Sequence, residues 1–219
     1  MTSFELTASR VSVADEIASL LRQRIMMGEL RPGTLLRQDE LASQFGASRT
    51  PLREALQRLA QDGLVRMDRR GATVVSISLD DLVELYDMRA VLEAMVARHV
   101  ASRITDSQLD ELSAILEALD KSDGERWIEL NRTFHNRTYE ISGRPQWIEM
   151  IRSLGLRADV YISLVGVPAR RESAALEHQE ILSALRARDS ERAGQAVAAH
   201  LQTTVLTASG LADNAQAHH

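Results

Sequence analysis

The stretch from Arg37 to Gly71, RQDELASQFGASRTPLREALQRLAQDGLVRMDRRG, constrains the possible folds of this chain more than any other. Leu41, Ala42 and Phe45 share one face over Asp39–Phe45, which predicts a short helix. Gly46 ends it, because a residue free to take positive φ permits a tight turn, and the Ser48 hydroxyl is expected to cap the next helix. Over Arg49–Asp62, Leu52, Leu56 and Leu59, with Ala55 and Ala60, recur at helical spacing, while Arg49, Thr50, Arg53 and Gln57 fall towards the other face. Two short helices joined by a glycine-containing turn form a helix-turn-helix. Gly63 closes the second helix. Leu64–Met67 and Thr73–Ile77 then read as two short strands around Asp68-Arg69-Arg70-Gly71-Ala72, a wing with an arginine-rich tip.

Such an element predicts double-stranded DNA as the partner, and charge agrees once it is divided along the chain. The net charge of -5 splits into 11 arginines against 9 acidic residues up to residue 78, a balance of +2, and 15 basic against 22 acidic beyond it, a balance of -7. The polyanion partner therefore belongs to the N-terminal end. Arg49 and Arg53 are expected to reach base edges or flanking phosphates, Ser48 and Thr50 phosphates, and Arg70 and Gly71 the minor groove, with Arg37 and Arg69 also among the DNA-binding residues. One recognition helix reads only a few base pairs, so a homodimer on a palindromic operator is expected. The chain has no cysteine, hence no disulfide framework, and no apolar run near the ~20 residues of a membrane span. Its start lacks the features of a signal peptide, and the expected compartment is the cytoplasm, with no membrane partner.

The remaining chain shows helical period throughout. Residues 1–12 are predicted to be mobile, and Val13–Met27 to form an amphipathic helix whose Ile17, Leu20, Leu21 and Ile25 pack on the helix-turn-helix. The DNA-binding domain is expected to span 13–78 and an all-helical domain 79–209. Six helices are predicted there, at about 80–102, 106–121, 124–142, 145–166, 168–187 and 189–208, with a disordered tail over 210–219 that ends in His218-His219. Short loops imply antiparallel neighbours in a bundle. The fold class is thus mainly α, a winged helix-turn-helix followed by an all-α bundle.

Histidine placement carries the chemistry of that bundle. Asn131 and His135 lie four apart and project from one helical face. His178 in ALEHQEIL has Leu176, Ile181 and Leu182 as heptad neighbours, and His200 in VAAHLQTTVL also sits beside an apolar stripe. Three imidazoles facing a bundle interior, with an amide or carboxylate oxygen beside them, suit Zn²⁺ or a similar divalent ion with open positions for water or ligand. Each alone reads first as a hydrogen-bonded core residue. His99, Trp127 and Trp147 are expected to be structural. On the first bundle helix, Arg89 lies among Leu82, Leu85, Tyr86, Leu92 and Val96, and Glu93 at i+4 offers it an intrahelical partner.

Residues 28–71, with GELRPG, DELA, SRTPLREAL and the GLV-to-RG wing in register, resemble the winged helix of GntR-type bacterial transcription regulators. Asp39 stands where relatives often have arginine. Residues 80–205, through LYDMRAVLEAMVARHVA, FHNRTYEISG, EHQEILSALRARDSERA and AAHL, resemble the FCD effector domain of the FadR-like branch. Six helices resemble its shorter, VanR-like variant. The resemblance implies metal ligands at Asn131, His135, His178 and His200, with asparagine in place of the usual aspartate. It also implies an effector pocket in which Arg89, beside Tyr86, binds a small carboxylate whose other oxygen reaches the metal. The expected function is a DNA-binding regulator, a repressor, sensing an organic acid through Zn²⁺, with Ni²⁺ or Mn²⁺ as alternatives. Two rivals are a metalloenzyme built on the histidines and a metal-responsive regulator without organic effector. No acidic residue occupies an HExxH-like position; Glu140 lies five residues beyond His135, well round the helix.

Overall fold

The computed structural model describes residues 12–69, 71–76, 78–165 and 171–216, without the side chains of 125, 160–165, 171, 172 and 211–216. The predicted mobile N-terminus before Ser12, Arg70 and His218-His219 lie outside the described residues. The chain divides into two compact units, Met1–Ile77 and Ser78–His219.

The first unit holds α1 (Val13–Met26), β1 (Leu35–Arg37), α2 (Gln38–Phe45), α3 (Arg49–Gln61), β2 (Val65–Asp68) and β3 (Gly71–Val74). Ser12 and Asp15 close a capping box at the start of α1. Ile17, Leu21 and Ile25, spaced by four, are buried, and α1 packs on α3, whose Leu52, Ala55, Leu56 and Leu59 are almost fully inaccessible. Leu20, predicted to share that face, is instead half exposed. Arg22 with Asp62 and Arg58 with Asp15 bridge the same two helices. Gly46 ends α2 in the left-handed region at φ 58°, as the tight turn requires. Ser48 occupies the N-cap of α3 with extended backbone, but its hydroxyl makes no capping hydrogen bond. The residue three positions on is Pro51, which has no N–H to donate, and this removes one of the two donors such a cap can use.

The wing is a three-stranded antiparallel sheet of order β1-β3-β2. Sequence pattern finds the hairpin but not β1, three residues too short to show alternation. Leu35 pairs with Thr73 and Arg37 with Gly71, while Asp68 faces Gly71 across the hairpin. Gly71 takes φ 148°, and a Cβ there would overlap the Leu36 carbonyl oxygen. Only glycine allows β1 and β3 to approach so closely.

The second unit comprises α4 (Leu79–Ala101), α5 (Asp106–Asp120), α6 (Gly124–Ile141), α7 (Pro145–Val165), α8 (Arg171–Arg186) and α9 (Ser190–Gln216). Capping boxes at Ser78/Asp81 and Thr105/Gln108 start α4 and α5. α4 is the hub, packed against α6, α7, α8 and α9. Its Leu82, Val96, Val100 and Ala101 join Leu112, Phe134, Ile181, Leu185 and Val197 in one buried cluster. Each large aliphatic side chain buried this way contributes about 1.5–3 kcal/mol relative to exposure. Trp127 and Trp147 pack half-buried against the cluster's edge. α9 continues through Gln216, past the predicted start of a disordered tail at 210.

Candidate nucleic-acid interface and candidate metal centre

The start of α3 presents Ser48, Arg49, Thr50 and Arg53 to solvent, and Arg69 is exposed at the wing turn. Burying Leu52, Ala55, Leu56 and Leu59 forces the polar residues between them outward. Arg49 is 76 % exposed and lies 2.8 Å from Asp39 of α2. Arg37, at the N-cap of α2, lies 3.7 Å from Glu40. Both pairs sit in water and are worth at most about 1 kcal/mol, so they leave these arginines available to a polyanion. Gly71, by contrast, is buried in the sheet, and its geometry serves the approach of β1 to β3.

In the helical unit three helices bring His135, His178 and His200 together. α6 supplies Asn131 and His135, α8 supplies His178, and α9 supplies His200. One potential ligand atom from each histidine lies within 4.8 Å of the others. The three ring centroids are 4.9–5.0 Å apart. Nε2 of His135 and Nε2 of His178 are 3.2 Å apart. Two ligands at tetrahedral positions, each about 2.0–2.1 Å from an ion, stand about 3.3 Å apart. Asn131 Oδ1 is buried and accepts no hydrogen bond from any described residue. An orphaned buried acceptor costs roughly 1–3 kcal/mol, which an ion in the cluster would offset. The donor set of three imidazoles and one amide oxygen therefore fits a borderline divalent ion. Phe134, fully buried, packs beside both His135 and His178 and walls the cluster from water.

Arg89 is only 13 % exposed, and its Nε donates to Glu93 at 2.7 Å. Its guanidinium also lies over the Tyr86 ring at 4.8 Å. Glu93 is 1 % exposed, and its second oxygen accepts from the Tyr139 hydroxyl. Tyr139 in turn stacks with His135 at 6.3 Å. A hydrogen-bonded chain thus runs from Arg89 through Glu93 to Tyr139, whose ring stacks on His135. Burial disfavours the Arg89 charge, yet Glu93, then Tyr86, Tyr139 and Asp159, hold it well above its ordinary range. Burial, reinforced by the Glu93 charge, pushes the Tyr139 hydroxyl well up. Burial also raises the Asp159 carboxyl against the opposing charges of Arg89 and Arg132.

Sequence spacing pairs Glu93 with Arg89 but gives no sign that the pair is buried or reaches Tyr139. Tyr139 was within reach of sequence reasoning, because Asn131, His135 and Tyr139 recur every four residues on one face. Asp159 and Glu177 carry no such signal. Glu140, the one acid near His135 in sequence, is exposed and pairs with Arg137 and Arg152.

A winged helix with solvated arginines at the head of α3, followed by a helical unit with a buried polar centre, has the make-up of a DNA-binding regulator with a second, all-helical domain. Residues 84–203 match the FCD domain, and residues 13–75 match the gntR family of bacterial regulatory proteins. The HTH-type transcriptional repressor RspR of Escherichia coli K12 is 32% identical over 197 residues, 87% of this chain and 86% of that protein. A solved structure of E. coli McbR/YncC has 29% identity and a TM-score of 0.79, covering 92% of this chain and 99% of that one. The gluconate operon transcriptional repressor of Bacillus licheniformis is 38% identical over 114 residues, a match spanning only 52% of this chain and about half, 47%, of that protein. The chain belongs to the GntR family of transcription regulators, with an FCD domain, and is a DNA-binding regulator rather than an enzyme.

Proposed function

We propose that this regulator is a cytoplasmic repressor that binds a palindromic operator as a homodimer. Its helical unit senses a small carboxylate through a divalent ion, Zn²⁺ in the first instance, with Ni²⁺ or Mn²⁺ as alternatives. The observation that carries this reading is the convergence of His135, His178 and His200, with the orphaned Asn131 oxygen one helical turn before His135 on α6. Asn131, His135, His178 and His200 would hold the ion. A metal in that place supplies a Lewis acid that anchors one carboxylate oxygen. Arg89 would bind the other oxygen: a guanidinium has five N–H donors, and Glu93 takes the one on Nε. Tyr86, stacked under Arg89, would fix the plane of that fork.

Support for repression comes from the names of relatives, RspR and the gluconate operon regulator among them. Support for the dimer comes from α4, where Met88, Val91 and Met95 are exposed and line an apolar depression with Leu92. Apolar side chains recurring on one exposed helix face are suited to a second copy. Effector binding would shift the population between two geometries of the helical unit and so change operator affinity.

Elemental analysis of protein purified without chelator or histidine tag tests the metal, with close to one equivalent expected. Less than a tenth of an equivalent, together with no thermal stabilisation by added Zn²⁺, Ni²⁺ or Mn²⁺, would reduce the histidines to ordinary polar residues. Saturation at a hundredfold excess over the dissociation constant raises stability by about 2.7 kcal/mol. The Arg89–Glu93 pair also favours a second reading, a metal-responsive regulator without organic effector, in which the Arg89 charge is already matched by Glu93. Arg89→Met decides between them. Loss of the response to acid with operator binding retained supports the carboxylate pocket, and equal calorimetric binding of acids by wild type and variant supports the second reading.

A further inference from the structure

We propose that Glu177 is a positioning residue of the metal centre, which fixes the tautomer of His200; this rests on the metal reading above. His200 Nδ1 lies 2.7 Å from a Glu177 carboxylate oxygen. The histidine side chain is 9 % exposed and Glu177 20 %, so the contact is shielded from water. A carboxylate only accepts, so the proton of the neutral imidazole sits on Nδ1. The lone pair then belongs to Nε2, the nitrogen that would ligate. The His200 ring lies 4.9 Å from the rings of both His135 and His178.

Glu177 directly precedes His178 on α8. Adjacent helical residues point about 100° apart. One segment of α8 therefore supplies both a ligand, His178, and the group that orients the ligand from α9. Carboxylates in this role raise the basicity of the imidazole and hold its ring in the ligating pose, and their loss weakens metal binding by about 10- to 100-fold. Glu177 also brings negative charge close to the ion, which the neutral Asn131 does not.

The test uses the full chain and Zn²⁺ as the probe. Competition titration should show Glu177→Ala binding Zn²⁺ about 10- to 100-fold more weakly than wild type. Glu177→Gln, whose amide oxygen still accepts from Nδ1, should fall between the two, with the metal-free unfolding midpoint of wild type. Long-range ¹H–¹⁵N NMR of the metal-free wild type at pH 8 should find the His200 proton on Nδ1. A proton on Nε2, on both nitrogens, or equal Zn²⁺ affinity in Glu177→Ala and wild type would overturn the proposal. Should Glu177→Ala fail to fold, Glu177→Gln and the NMR tautomer still decide. A wild type that takes up no Zn²⁺ instead removes the metal centre itself and this role with it.

Discussion

The two units of this regulator solve opposite electrostatic problems. The winged helix keeps its functional charges in water: Arg49 is 76 % exposed beside an equally solvated Asp39. The helical unit buries its own: Glu93 is 1 % exposed between Arg89 and Tyr139. A solvated arginine keeps its affinity for phosphate because its surface partners are worth so little. A buried carboxylate survives only where every oxygen is satisfied, because desolvating a charge costs several kcal/mol. The unit that meets a polyanion therefore carries +2 with loosely held cations. The unit at -7 holds its buried Arg89, Glu93 and Tyr139 in one hydrogen-bonded network. A surface charge can be read one residue at a time. A buried charge is a property of the whole network around it.

The sharpest way to break this contrast is at Glu93. Glu93→Gln leaves the Arg89 charge buried without its nearest counter-charge and should lower the stability of the helical unit by roughly 3–5 kcal/mol in chemical denaturation. A loss below about 1 kcal/mol would mean that the pair is no more than a solvated one. Next comes His178→Ala, which should weaken Zn²⁺ binding by more than the roughly 100-fold expected from outer-shell changes. Operator binding of the metal-free protein should stay as in wild type. In the wild type, Zn²⁺ affinity should fall as the solution is acidified, since ion and proton compete for one lone pair.

On the surface the effects are smaller and additive. Arg53→Ala should weaken specific operator binding by about 1–3 kcal/mol in electrophoretic titration, with metal uptake unchanged. Unchanged affinity for both Arg49→Ala and Arg53→Ala would remove the head of α3 from the interface. The smallest effect is expected from Asp39→Asn, which releases Arg49 from a solvated pair. Affinity should change by less than about 1 kcal/mol, and the salt slope should steepen by about one phosphate contact.

The same division governs what could be read from the chain. The turn at Gly46, the α3 face of Leu52, Leu56 and Leu59, and the exposure of Arg49 and Arg53 follow from residues within one or two helical turns of each other. Periodicity and glycine chemistry report such short-range facts directly. Even there, the Ser48 hydroxyl makes no capping bond, and Pro51, three residues on, offers it no N–H. β1 is legible only from its partner β3, more than thirty residues away, as is the need for Gly71 beside the Leu36 carbonyl. In the bundle, Asn131 and His135 announce a shared face. Spacing alone left His178 and His200 equally open to being core residues.

By itself the sequence determined the helix-turn-helix, the mainly helical class and the charge division, because each depends on composition or on contacts within a few residues. Tertiary structure alone decided that Glu93 is buried with Tyr139, 46 positions away, and that Glu177 meets His200, 23 positions away. Those contacts form where separate helices cross. Burial, which makes a charge costly unless it is paired, is set by the packing of α4, α6, α8 and α9 together and is carried by no short segment of the chain.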